Sequence, residues 1–86
     1  MVVSSATHSV TTSATKIIDT DEDSLATVVY NPDTNPTVYW GGSDVTTSIG
    51  IPIPPGGKEA FDLRGVGDDV YIIAGSACTV RKGLVT

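Results

Sequence analysis

Apolar positions along the chain come in short runs broken by turn residues, and the clearest of them alternate with polar ones. In Lys58-Glu59-Ala60-Phe61-Asp62-Leu63-Arg64, Phe61 and Leu63 fall on one face while Ala60, Asp62 and Arg64 fall on the other, a period of two that predicts a half-buried strand. Thr37-Val38-Tyr39-Trp40 repeats the pattern, with Val38 and Trp40 on one face. Ala77 to Lys82 does so again, with Cys78 and Val80 inward and Thr79 and Arg81 outward. Leu25 to Tyr30 and Val70 to Ala74 are nearly continuous in apolar residues, as central strands are. Lys16-Ile17-Ile18 predicts a further strand and Val45 to Ile49 a weak one. Ile51-Pro52-Ile53-Pro54-Pro55 is extended but poor in donors, so it belongs at a sheet edge.

The breaks have turn chemistry. Asn31-Pro32-Asp33-Thr34-Asn35-Pro36, Gly41-Gly42-Ser43-Asp44, Gly56-Gly57, Gly65 to Asp69 and Gly75-Ser76 separate the runs, and no apolar period of 3.6 appears anywhere. Roughly seven short strands at intervals of about 8 to 12 residues predict an all-β fold. The expected form is an antiparallel β-sandwich or flattened barrel of six to eight strands. Tyr30 and Tyr39, flanking the Asn31 to Pro36 loop, suggest a hairpin between their strands. The expected core is Ile17, Leu25, Val28, Val38, Trp40, Ile49, Phe61, Leu63, Val70, Ile72, Cys78 and Val80.

Residues 1–15 stand apart, being almost all small, hydroxylated or β-branched. They are expected to form an extended N-terminal arm, mobile when free or laid as a strand on its own domain or on a neighbour, with residues 16–86 as the sandwich domain. Val2, Val3 and Val10 of the arm, with Ile51, Ile53, Leu84 and Val85, are apolar residues in excess of what the core requires. They are the candidates for a protein interface; Val29 and Ile73 are also left over.

Composition narrows the function. A formal charge of −5 and scattered cations (Lys16, Lys58, Arg64, Arg81, Lys82) argue against a nucleic-acid binder. No run approaches the ~20 apolar residues of a membrane span, the N-terminus lacks a signal-peptide pattern, and Pro36 spoils the Asn35-Pro36-Thr37 glycosylation sequon. The chain reads as soluble and unprocessed. With 86 residues and a single cysteine, Cys78, it has no disulfide to staple a small core, so a partner is an expected source of further stability.

Catalytic inventory is thin. His8 is the only histidine and lies in the arm, Cys78 lies on an inward strand face, and adjacent Asp68 and Asp69 diverge on a turn. No cofactor signature is present, and no enzyme activity is expected. Asp19, Asp21 and Asp23 are spaced as the opening ligands of a calcium loop. The spacing then fails, because Ser24 stands where the turn glycine belongs and Tyr30 where a bidentate glutamate would close the site. A solvated loop is the expected reading. Trp40 beside Gly41-Gly42, with Tyr30, Tyr39 and Tyr71, offers the alternative of a sugar or peptide groove, against the expectation that Trp40 fills the core.

Asn31-Pro32, Val38-Tyr39-Trp40-Gly41-Gly42-Ser43-Asp44-Val45-Thr46, Gly50-Ile51-Pro52-Ile53-Pro54-Pro55-Gly56-Gly57, Phe61-Asp62-Leu63, Val70-Tyr71-Ile72-Ile73-Ala74 and Thr79-Val80-Arg81 together resemble small β-sandwich virion proteins of tailed bacteriophages, particularly capsid decoration or cement proteins. The resemblance implies a non-enzymatic protein made in the host cytoplasm and carried on the capsid surface, where it binds and stabilises the assembled head. The implied partner is the major capsid protein or another virion protein, and homo-oligomers, for instance trimers, are implied too. The alternative it leaves open is a sugar- or protein-binding module of a tail, fibre or baseplate.

Overall fold

The computed structural model describes residues 3–18, 26–62 and 69–85. Their strands are β1 (Val3–Val10), β2 (Thr15–Ile18), β3 (Ala26–Tyr30), β4 (Val38–Gly41), β5 (Ile51–Ile53), β6 (Lys58–Asp62), β7 (Val70–Ala74) and β8 (Cys78–Val85). They form two four-stranded sheets, ordered β1-β8-β3-β6 and β2-β7-β4-β5, with every pairing antiparallel. The fold is a small all-β sandwich, as the strand spacing predicts.

The core lies between the sheets. Val10, Val29 and Val80 contribute from the first sheet, and Ile17, Ile18, Val38, Ile53, Ile72 and Ala74 from the second, each at most 2% exposed. Burying each Val or Ile side chain contributes about 1.5 to 3 kcal/mol, which is how so small a chain offsets its ordering entropy without a cross-link. Trp40, Phe61, Val70 and Cys78 pack partly buried against this cluster. Of the expected core, Leu25 and Leu63 fall outside the described residues.

Two expected core residues do not belong there. Val28 is half-buried on the outer face, because the β3 register turns Thr27 and Val29 inward. Ile49 is 66% exposed. The segment expected as a weak strand, Val45 to Ile49, is instead a turn. Thr46 Oγ1 accepts hydrogen bonds from the Ser48 and Ile49 N–H groups, and the Gly50 N–H donates to Thr46 O at 2.8 Å. A threonine side chain that satisfies local donors competes with the ladder for them, and here it prevails. Gly50 closes the turn under Tyr39, where a Cβ would stand 2.5 Å from the Tyr39 Cβ, so only glycine allows the approach.

The expected hairpin of Tyr30 and Tyr39 does not form either, since β3 and β4 lie in different sheets. Asn31 is where the chain leaves one sheet for the other. Its backbone extends the β3·β6 pairing, donating to Gly57 O at 2.9 Å and accepting from the Gly56 N–H. Its fully buried side chain donates from Nδ2 to Pro36 O at 3.0 Å and to Ile53 O at 2.9 Å, the latter on β5 in the opposite sheet. Gly56, at φ 79°, supplies the left-handed turn that brings its N–H onto Asn31.

The described residues of the expected arm, 3–15, include an ordered strand. Of the placements open to the arm, the strand lies on its own domain: Val3 to Val10 pair residue for residue with Val85 to Cys78, and Val10 is fully buried. The Ser/Thr-rich composition suits such an edge, where half the backbone groups meet a ladder and the other half meet solvent. The chain turns after Val10, with Ala74 N–H donating to Thr11 O at 3.1 Å, and enters the second sheet as β2.

Candidate interaction surfaces

Of the residues singled out for chemistry, His8 and Cys78 come to lie diagonally across the β1·β8 ladder on its inner face, with no hydrogen bond between them, while Asp68 lies outside the described residues. His8 is half-buried on the inner face of β1, its Nε2 3.4 Å from Thr15 Oγ1 in the facing sheet. Desolvation, and secondarily the positive charge of Lys82, holds its imidazole below the usual histidine range. The folded chain thus favours the neutral ring, and the unfolded chain takes up the proton more readily. Stability contributed by neutral His8 is expected to be complete above about pH 6.5 and to be lost as pH falls through that value toward the folded pKa. The melting temperature should therefore decline on mild acidification, and His8→Gln should flatten that decline; an unaltered slope in the variant would assign it to other groups.

Cys78 is half-buried, and burial raises its thiol pKa, which disfavours the thiolate a nucleophile needs. Trp40 packs its ring edge-on against Phe61 across the sandwich, centroids 4.9 Å apart at 84°, with Nε1 buried and without a hydrogen-bond partner. It closes one side of the core. Tyr30 and Tyr71 carry cations over their rings, Arg81 at 5.9 Å and Lys16 at 6.0 Å, and Lys16 also donates to Asp69 at 3.0 Å. Tyr71 and Asp69, with Gly42 and Ser43, border a shallow depression of about 300 Å³. Tyr39 and Tyr71 are diagonal neighbours on the outer face of the second sheet, whereas Tyr30 belongs to the first sheet and Trp40 packs against the core, so the four do not form one platform.

Asp19, Asp21 and Asp23 lie outside the described residues, as does Val2. Among the described residues no three His, Cys, Asp or Glu side chains gather as a metal site would require. No described helix is long and apolar enough to cross a membrane.

The interface candidates divide. Val10 and Ile53 are core residues, at 0% and 1% exposure, because β1 and β5 pack against the opposite sheet at those points. Ile51, two residues from Ile53 and facing the same way, is 48% exposed where β5 runs out beside Trp40. It stands near Ile49 in sequence, and these two are the large apolar side chains exposed among the described residues. Sequence reasoning missed Ile49 by reading its segment as a strand; the signal was its place between Ser48 and Gly50. Val3, Leu84 and Val85 lie in the β1·β8 ladder, Val3 opposite Val85 and Leu84 between Ser4 and Thr27.

The sheet edges differ sharply. β5 is short and contains Pro52, β6 carries Lys58, Glu59 and Asp62, and β2 is short, carries Lys16 and has a register shift between Lys16 and Ile18. Each of these devices blocks addition of another strand. β1 has none of them: eight residues, Val-Ser-Ser-Ala-Thr-His-Ser-Val, in uninterrupted register with no proline and no Lys, Asp or Glu. Ser5, Ala6, Thr7 and Ser9 are exposed along it, and Ser5, Ala6 and Thr7 share a shallow groove of about 280 Å³ with Arg81.

Comparison of the chain with protein-family models, with curated proteins and with solved structures returned no match.

Proposed function

We propose that the chain is a non-enzymatic structural protein of a bacteriophage virion, a capsid decoration protein that binds and stabilises the assembled head. The reading begins from the resemblance in the turn and strand residues. The observation that carries it to a surface is the exposed pair Ile49 and Ile51, held on a turn fixed by Thr46 and a proline-bearing edge strand. Apolar side chains presented on a rigid apex suit docking onto a preformed protein surface, since little conformational freedom is left to lose on binding.

The partner in this reading is the major capsid protein in its assembled lattice. The purified chain should co-sediment with intact heads and ignore free capsid subunits. Ile49→Ser with Ile51→Ser should keep the fold, since both side chains are exposed, and reduce head binding severely. Failure of the unaltered chain to bind heads would overturn the proposal, and binding to tails or baseplates instead would move the protein to the alternative named above.

A further inference from the structure

We propose that β1 is a self-pairing edge, through which two copies of this chain join antiparallel about a twofold axis at Thr7, fusing their first sheets into one of eight strands. The setting deepens the assembly reading above, but the pairing is argued from the edge alone.

β1 is the described edge strand that carries none of the usual obstacles to strand addition, and such an edge is a template for another strand. What identifies a second copy as the occupant is self-complementarity. A twofold axis perpendicular to the sheet keeps each face on its own side, so residues of the same face must oppose one another. With Thr7 at the axis, the exposed outer row Ser5, Thr7, Ser9 meets its own reverse: Thr7 opposes Thr7, and Ser5 opposes Ser9. In the other row Ala6 opposes His8, and at the backbone Ser4 pairs with Val10. Every opposed pair includes a small or hydroxylated residue and none sets charge against like charge, whereas Thr and Ser pairs across a ladder are favourable.

Charge allows the approach as well. The chain carries −5 overall, yet β1 has no carboxylate, and its ladder partners opposite Ala6 and Thr7 are Lys82 and Arg81. Two acidic molecules therefore meet through their locally basic side. In the joined sheet Arg81 and its counterpart stand three strand spacings apart, roughly 14 Å. That exceeds the ~8 Å screening length at physiological salt. His8 approaches its counterpart diagonally and adds no repulsion while neutral. One strand edge is a small interface, so association should depend on concentration and be reinforced where copies are crowded on a surface.

Sedimentation velocity of the full chain across a wide concentration range tests the idea. The unaltered chain should pass from monomer to dimer. Thr7→Lys and Thr7→Glu, each placing like charges face to face at the axis on an exposed position, should each remain monomeric with an unchanged circular-dichroism spectrum. Mixing the two variants should restore a dimer, which a merely misfolded variant could not do. A chain that stays monomeric throughout, or a dimer indifferent to Thr7→Lys, would overturn the proposal. A monomer that still binds heads would defeat self-pairing alone, whereas a Thr7-dependent dimer that ignores heads would defeat the decoration reading alone.

Discussion

A chain lacking residues 2–10 is expected to lose its cooperative melting transition altogether. The deletion removes the whole of β1, including Val10, which is fully buried against the opposite sheet. Loss of that side chain alone forfeits about 1.5 to 3 kcal/mol. The deletion also strips one of the two partners of β8 along its length and uncovers Val80, a core residue that pairs with His8 on the inner face. Domains of this size have a total stability on the order of 0.05 to 0.15 kcal/mol per residue, so the combined loss is comparable to everything that holds the fold together. One-dimensional proton NMR should show collapsed dispersion across the whole spectrum. A truncated chain that kept a dispersed spectrum and the original melting temperature would mean that the strand is an appendage, and that the sheet ends at β8.

Asn31→Ala should be the most damaging single substitution on the sheet crossover. The side-chain amide satisfies two carbonyls, Pro36 O and Ile53 O, and Asn31 is 0% exposed. Ile53 O, left buried without a donor, costs about 1 to 3 kcal/mol, whereas Pro36 O, on an exposed residue, can turn to water. At about 4 to 8 °C per kcal/mol, the melting temperature should fall by at least roughly 4 °C. Thr27→Val provides the contrast at a nearby buried position. Thr27 Oγ1 has no hydrogen-bond partner, so its replacement by an apolar side chain of the same shape should cost little. Thermal denaturation of the two variants in parallel settles the ranking, and equal losses would mean that burial matters at Asn31 and its amide does not.

The sequence makes the class of fold legible because turn chemistry is local. Pro52 places β5 at an edge, Gly56 supplies its left-handed turn, and the alternation in Val38 to Trp40 puts the right side chains inward. Alternation names a face, however, and not a partner. The tyrosines flanking Asn31 looked like a hairpin because nothing local reveals that the Asn31 amide reaches across to β5. The phase of β3 was hidden for another reason: Ala26 to Tyr30 is too uniformly apolar to alternate, and the buried choice includes Thr27, a polar residue. Ile51 and Ile53 show the same limit for the docking surface. They share a face, yet one is core and the other exposed, because the difference lies in how far the opposite sheet extends. His8 and Val10 were legible as residues and illegible as places, since only the long-range pairing with β8 puts them inside.

That pairing also has a consequence in time. β8 sits between β1 and β3, so the first sheet cannot close until β8, far along the chain from β1, has left the ribosome. Until then β1 waits with both of its edges bare, the one meant for β8 as well as the one that faces outward. Closing a ladder between strands far apart in sequence is slow compared with forming local turns. A nascent chain crowded among its siblings on one messenger is therefore exposed to capture of β1 by the wrong copy before its own β8 emerges, which places the burden of correct assembly on the rate of synthesis and on spacing between ribosomes.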